Sequence, residues 1–341
     1  MTDKLVASIG RHRMPDTLKA VIVIVSHDRC HLLETTLASL ADGDIPPEYA
    51  GALVVENGQQ FGAEQVVSAA DPRLRARYLF EPSSSKSRAL NRALEELTDE
   101  FIVYLDDDVR VDPHTIRRYI NTAIANPQGF YFGGRTGADY EQEPPSWLRE
   151  HMPASATGFS MGKALRQVDR PCFLGFNWAA FAPDIRRVGG FPEHIGPGTS
   201  RGQTIGEESE VQRKLLAKGM TGLYIPDAMV WHHVPRDRCT PAWVNGRCHT
   251  SGLVTGLQET GLGIASLVRA VSRTAVFLCL SIVLAPCWVA RWQWWPRFKL
   301  AYYTGLLQGT YRRMVSPGPK NGRPPPYQHH RKKGFHGHIP R

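Results

Sequence analysis

The opening MTDKLVASIG of this 341-residue chain has no apolar core, so a secretory leader is not expected. The six cysteines (Cys30, Cys172, Cys239, Cys248, Cys279 and Cys287) include no C-x-x-C pair. That excludes a C-x-x-C redox motif and fits reduced thiols better than a disulfide framework. Neither common phosphate cradle is present. No G-x-x-x-x-G-K-[ST] occurs, and GPGTSRG at 196–202 misses the dinucleotide glycine spacing by one residue. No internal repeat is visible. Acid is missing from the whole stretch after Glu259, which carries thirteen Lys and Arg. The net charge of +9 therefore combines that cationic stretch with a balance of −4 over residues 1–259. Such asymmetry implies an anionic partner, lipid or nucleic acid. Nucleic acid is the weaker choice, because the tail lacks regularly spaced aromatics for base stacking.

What is present suits a folded domain. Hydrophobic residues make up 42% and charged residues 21% of the chain, ordinary values for a globular protein long enough to bury a sizeable core. After a polar lead-in at 1–18, Ala20–Val25 (AVIVIV) is an uninterrupted apolar run, the pattern of a strand covered on both faces. Leu33, Leu37 and Leu40 mark a helix. Ala52–Val55, a helical stretch near Ala63–Ala70 and a strand at Arg77–Phe80 follow. Ser84 or Ser85 caps a helix carrying Leu90, Leu94 and Leu97 on one face. Phe101–Leu105 (FIVYL) is a second buried strand. This alternation predicts a doubly wound sheet over about 19–135. Residues 136–172 have no readable order. A helix at Glu207–Lys218 starts with acids, ends with cations and stops at Gly219. Two short strands are expected at Gly222–Ile225 and Ala228–Trp231. The Pro-, Gly- and base-rich tail from Ser316 predicts disorder.

Ligands of an open parallel sheet bind at the carboxyl ends of its strands, and three strand ends carry acids: Asp28, Glu56, and the run Asp106-Asp107-Asp108. Adjacent carboxylates repel unless a cation neutralises them. Asp106 and Asp108 could hold a hard divalent ion with positions left open for phosphate oxygens; a solvated acidic turn is the alternative. Lys86 and Arg88 sit in the first turn of a helix, where cations oppose the dipole unless an anion binds. Glu207, Glu208 and Glu210 open a later helix and could supply a general base.

Taken in order, these segments resemble an inverting family 2 glycosyltransferase of GT-A fold over about residues 19–235, and less specifically to about Arg313. The resemblance implies an α/β architecture with a GT-A type doubly wound mixed sheet, divided into a nucleotide-binding half at about 19–135 and an acceptor half at about 136–235. SHDR is similar to the turn that contacts the nucleotide, which implies Ser26 and Asp28. VVENG is similar to the acidic turn that reads the base, which implies Glu56. KSRALN resembles the segment before the metal strand and brings in Lys86 and Asn91. YLDDD matches the D-x-D motif, implying Asp106 and Asp108 as metal and cofactor contacts. GGFPE and GEESE match two further motifs, implying Glu208 as base with Glu207 able to share or take the role. YIPDAMVWHH implies His232 as a third ligand and His233 as its substitute. A nucleotide-sugar donor, a Mg or Mn ion, and a glycan or lipid-linked acceptor come with the family. Trp178, in CFLGFNWAAF, would either stack on a sugar or sit in the core.

Two other readings compete. A sugar-phosphate nucleotidyltransferase would carry a glycine-rich basic loop after the first strand, and SHDRCHLLE has none. A non-catalytic nucleotide-sugar-binding membrane protein would have no need of Glu207 and Glu208. In the C-terminal portion, 236–315 is expected to be helical, basic and membrane-associated. Thr274–Ala290 is uncharged for seventeen residues, at the lower edge of spanning length. Pro286 and Ser281 weaken a span. Trp288, Trp292, Trp294 and Trp295 beside Arg291, Arg297 and Lys299 suit a headgroup zone. An enzyme peripheral on the cytoplasmic face of the cell membrane is the expectation.

Overall fold

A computed structural model of the chain describes residues 18–198, 205–258 and 264–315. The expected polar lead-in, apart from Leu18, and the basic tail lie outside the described residues. The chain forms two compact units that meet in sequence at Thr240–Pro241, five residues beyond the boundary expected at 235.

The first unit runs β1 (Ala20–Ser26), α1 (Cys30–Ala41), β2 (Tyr49–Asn57), α2 (Ala63–Ala69), β3 (Arg77–Glu81), α3 (Lys86–Glu95), β4 (Phe101–Asp106), β5 (Val109–Val111), α4 (Thr115–Ala125) and β6 (Phe130–Tyr140). It continues with α5 (Ser146–Arg149), α6 (Ala154–Thr157), β7 (Arg166–Val168), β8 (Trp178–Phe181), α7 (Ala182–Arg187), α8 (Glu207–Ala217) and β9 (Thr221–Val234). The strands form one sheet in the order β3-β2-β1-β4-β8-β6-β9-β5, with β7 paired to β9. From β3 to β4 the neighbours are parallel; β8 is antiparallel to both β4 and β6, and β9 is parallel to β6. The sheet is thus mixed, as the α/β reading requires.

Every residue of β1 is buried because both of its faces are covered. Ile22 and Ile24 join Leu33, Leu37, Phe101, Val103 and Tyr119 on one side. Val21, Val23 and Val25 join Leu90, Leu94, Tyr104, Trp178 and Leu215 on the other. Trp178 is a core residue stacked on Tyr104 at 4.8 Å, which takes it away from any sugar.

The two short strands expected after α8 are one 14-residue strand, β9. Pro226 and Asp227 read as a break, but they sit in a bulge: Gly134 pairs with Ile225 while Arg135 pairs with Met229. A bulge is where a sheet tolerates a residue with no amide hydrogen. Asn177 closes it, donating from Nδ2 to the carbonyls of Arg135 (2.7 Å) and Ala228 (2.9 Å).

The second unit consists of α9 (Pro241–Gln258), α10 (Ile264–Val283) and α11 (Ala290–Val315). α9 and α11 touch backbone to backbone. A Cβ built on Gly252 would lie 1.9 Å from the Tyr302 carbonyl oxygen, and one on Gly256 2.3 Å from that of Leu306. Reciprocally, a Cβ on Gly305 would lie 2.1 Å from the His249 carbonyl and one on Gly309 2.2 Å from that of Leu253. Two G-x-x-x-G spacings thus face each other, and only glycine fits at this distance. The uncharged run 274–290 is not one helix, because α10 ends at Val283 and a turn holding Pro286 precedes α11. No helix among the described residues is long and apolar enough to cross a membrane.

Candidate functional site

The carboxyl ends of β1 and β4 lie side by side, with Val25 paired to Asp106. Beyond them the chain turns sharply through Asp107 and Asp108 into β5. Thr36 pins this turn from α1: its hydroxyl donates toward the carbonyls of Asp107 (2.9 Å) and Val109 (2.8 Å) and accepts the Val109 amide (3.1 Å). The three acids then diverge in role. Asp107 is wholly buried; it accepts the Ser26 hydroxyl at 2.8 Å and pairs with Arg29 at 2.6 Å. Burial pushes its carboxyl up to about 7, with Arg29 opposing and Asp108 adding to the rise. Asp108 is held through Oδ2 by the Arg29 guanidinium. Asp106 is held by the Lys86 ammonium.

Lys86 joins two parts of the site. Its Nζ engages Asp106 and lies 3.8 Å from Glu207 Oε1, at the start of α8. Burial opposes the charge on Lys86, but Asp106 and then Glu207 outweigh it and hold its pKa above the usual lysine range. Asp106 is correspondingly lowered: burial works against ionisation, and the Lys86 charge overcomes it. Glu207 is raised by burial, with Lys86 only partly offsetting. Glu208, half-buried beside Gly175, is pushed up to about 7 by burial and then by the charge of Glu207. Its Oε1 accepts the Ser209 hydroxyl at 3.1 Å.

Strand alternation decides between the paired histidines. His232 turns inward, stacked on Phe176 at 4.5 Å, with Nε2 3.5 Å from Asp108 Oδ1. His233 turns the other way, to Glu141 at 3.2 Å. Burial lowers the His232 pKa, with Asp108 opposing, and favours the neutral imidazole that ligates metals. Asp108 Oδ1 and His232 Nδ1 are buried without a hydrogen bond, which is uncommon for buried polar atoms. Asp108 Oδ1 and His232 Nε2, 3.5 Å apart, could serve as neighbouring ligands of a divalent ion, the unpaired Nδ1 being the ring's other nitrogen. Among the described residues no three His, Cys, Asp or Glu converge as a ready metal cluster, since Asp106 is engaged by Lys86 and the other Asp108 oxygen by Arg29.

The remaining expected residues lie close by, with other immediate partners. The Ser26 hydroxyl faces Asp107, and Asp28 sits in a left-handed turn at φ 54°. The Glu56 carboxylate is committed within the protein: Oε1 accepts the amides of Phe61 (2.6 Å) and Ala63 (3.2 Å), and Oε2 the Tyr78 hydroxyl (2.7 Å). It therefore shapes the 58–62 loop. Asn91 clasps the GGFPE turn, donating to the Phe191 carbonyl at 2.9 Å and accepting its amide at 2.8 Å. The Ser87 hydroxyl donates to the Ile195 carbonyl at 2.7 Å, and Ser85 caps α3 by accepting the Arg88 amide. Sequence reasoning missed Arg29 and Thr36. Arg29 lies in the quoted SHDR turn, and its charge beside an acid-rich strand end was the available signal.

The model of the family described as glycosyl transferase family 2 matches residues 21–189. The succinoglycan biosynthesis protein ExoM of Rhizobium meliloti (strain 1021) is 25% identical over 287 residues, covering 77% of this chain and 86% of that protein. Among solved structures, the mannosyltransferase PcManGT from Pyrobaculum calidifontis, in complex with GDP-Man and Mn2+, superposes with a TM-score of 0.54 at 18% identity, over 87% of each chain. TarS residues 1–349 from S. aureus superposes with a TM-score of 0.50 at 12% identity, over 87% of this chain and 92% of that one. At such identities these two speak for the fold alone.

Proposed function

Because the chain belongs, through residues 21–189, to glycosyl transferase family 2, we propose that it moves a sugar from a nucleotide-sugar donor to an acceptor hydroxyl with inversion, during polysaccharide assembly. The observation that carries this reading is the reach of one ammonium group. Lys86 Nζ ties the acidic tip of β4 to the first turn of α8, so the D-x-D acids and the candidate base share one site although about a hundred residues separate them. The family match supports a glycosyltransferase over a nucleotidyltransferase, and Glu208, whose raised pKa suits a base working near neutrality, supports a catalytic role over a non-catalytic binder.

In this reading Glu208 takes the acceptor proton while the acceptor oxygen bonds to the anomeric carbon. The bond from that carbon to the diphosphate oxygen breaks on the opposite face, and the electron pair leaves with the nucleoside diphosphate. Lys86 and Arg29, now on carboxylates, turn toward the phosphate oxygens, which frees Asp106 and the second Asp108 oxygen. Asp106, Asp108 and His232 would hold a Mg or Mn ion, which when bound offsets charge on the diphosphate. Ser26 and Asp28 line the nucleotide side, the Glu56-shaped loop walls the base, and Asn91 keeps the GGFPE turn in place. The ion and sugar nucleotide bound to PcManGT support the donor class, and ExoM supports the polysaccharide setting. The acceptor is a glycan or lipid-linked glycan at the cytoplasmic face of the cell membrane.

Thermal-shift measurements with nucleoside diphosphates test this. A uridine, guanosine or thymidine diphosphate should stabilise the protein only with Mn2+ present, and Asp108→Asn should abolish the shift. An undiminished shift in that variant removes the metal assignment.

A further inference from the structure

The helix α10 is built inside out for water. Ala270, Thr274, Phe277 and Ser281 recur at helical spacing on its inward side, Ala270 and Ser281 buried and the other two partly so. Two of the four are hydroxyl residues, satisfied by their own helix: Thr274 donates to the Ala270 carbonyl at 2.9 Å and Ser281 to that of Phe277 at 2.6 Å. The outward side carries Val268, Val271, Val276, Leu278, Ile282 and Val283, all exposed. A helix in water turns its aliphatic stripe to the core and its hydroxyls out. Here Thr274 and Ser281 turn inward while six aliphatics lie exposed, alongside the exposed polar residues Arg269, Ser272 and Arg273. Inward packing comes instead from aromatics: Phe277 meets Trp295 edge-on at 5.5 Å and stacks on Tyr303 at 5.7 Å.

The turn after α10 extends the same surface. Trp288, at 96% exposure, is the most open large hydrophobic side chain described, and Val289 and Trp292 are exposed beside it. Cations flank the apolar zone. Arg273 donates to the Tyr303 hydroxyl at 2.8 Å, the Arg297 guanidinium lies over the Trp294 ring at 5.0 Å, and Arg291 and Lys299 are exposed on α11. The stretch of sequence after Glu259 contributes no acid of its own. Contiguous apolar surface of this kind is rare on soluble monomers. Aliphatics, exposed tryptophan and cations in one place match the layers of an anionic bilayer surface: acyl boundary, interface and phosphate.

We propose that the outward face of α10 and the turn through Trp288 form a docking surface that enters the headgroup layer of an anionic phospholipid membrane without crossing it. Arg269 and Arg273 occupy the first half of α10, which leaves too short an apolar length for a span, in line with the absence of a spanning helix among the described residues. Ile282, Val283 and Trp288 reach the acyl boundary, and Arg273, Arg291, Arg297 and Lys299 meet phosphates. This surface draws on the proposed function only for the expectation of an acceptor at a membrane.

Flotation of the full chain with vesicles tests the surface. Wild-type protein should float with equimolar phosphatidylglycerol and phosphatidylcholine vesicles, less so at high salt, and hardly with phosphatidylcholine alone. Ile282→Asp combined with Trp288→Ser should lower partition at least about tenfold while leaving the thermal midpoint unchanged, because both side chains already face outward. Brominated lipid should quench wild-type tryptophan fluorescence more than that of Trp288→Phe. Equal flotation of wild type and the double variant overturns the proposal, as does a wild type that ignores phosphatidylglycerol. A lipid-free dimer dispersed by Ile282→Asp, with no flotation, would give the face to a second copy instead. Glu208→Gln should float like wild type. Docking without sugar transfer would then fault the proposed reaction alone, and transfer without docking would fault this surface alone.

Discussion

The two units of the chain treat apolar surface and charge in opposite ways. Among the described residues, exposed large hydrophobic side chains of the first unit are Ile124 and Leu165, whereas the helical unit exposes thirteen, from Leu267 to Val315. The first unit draws acids and cations inward and matches them, with Asp106 on Lys86 and Asp107 and Asp108 on Arg29. The helical unit leaves its cations at the surface without acids of its own beyond Glu259. One unit satisfies its charges internally at one end of its sheet; the other keeps cations and apolar side chains at its surface. Chemistry belongs where geometry is held from within. Attachment belongs where both charge and apolar surface remain open.

The comparison breaks first at Lys86. Replacing it by Met leaves Asp106 and Glu207 without their shared cation, and loss of one member of a buried pair costs about 3–5 kcal/mol. Denaturant unfolding of Lys86→Met should show that loss; a change under about 1 kcal/mol would mean that the acids are matched from elsewhere. Next, Glu208→Gln should lower turnover by about 100-fold while donor binding persists. The pH profile sharpens the same point. With its pKa raised to about 7, Glu208 is protonated on the acid side, so wild-type kcat/KM should fall below that midpoint and the limb should vanish in Glu208→Gln. The stability linkage has the opposite sign. A carboxyl raised by folding keeps its proton longer in the folded state, so its burial penalty grows as pH climbs from the ordinary carboxylate range to about 7.

The third effect falls in the helical unit. Gly305→Leu pushes a side chain into the His249 carbonyl and should destabilise that unit by about 1–3 kcal/mol, while nucleoside diphosphate binding stays as in wild type. Weakened donor binding would show that the units are not independent in this respect. The smallest change is Leu165→Ser, an exposed aliphatic in the first unit. It should move stability by less than about 0.5 kcal/mol and leave vesicle flotation unaltered, in contrast to the Ile282→Asp, Trp288→Ser pair.

Much of the candidate site was legible as a cluster because its residues advertise themselves locally. An apolar run ending in DDD, a helix opening with GEESE, and a terminal pair of histidines each combine a strand or helix signal with chemistry. The divergence of Asp106, Asp107 and Asp108 was not readable, since it depends on Arg29, Lys86 and Thr36 arriving from distant positions. Glu56 shows the same limit. Its place at the end of β2 was foreseeable, but its engagement by two loop amides and Tyr78 is a property of the folded loop. Pro226 misled because a proline inside a strand pattern ordinarily ends it, and the remedy, Asn177 across the bulge, comes from fifty residues upstream. The G-x-x-x-G spacings of α9 and α11 were visible in the sequence; that they face each other was not.

The glycine-lined crossing of α9 and α11 has a consequence for how the protein could change phase. A contact made by close backbones gains its cohesion from dispersion and from dipoles of neighbouring peptide groups, terms that persist when the surroundings pass from water to hydrocarbon. An oil-like seam would loosen on immersion in lipid, where leaving water no longer provides a drive. The cohesion of this joint does not rest on exclusion of water, so the crossing of α9 and α11 should hold unchanged if the proposed docking surface meets lipid.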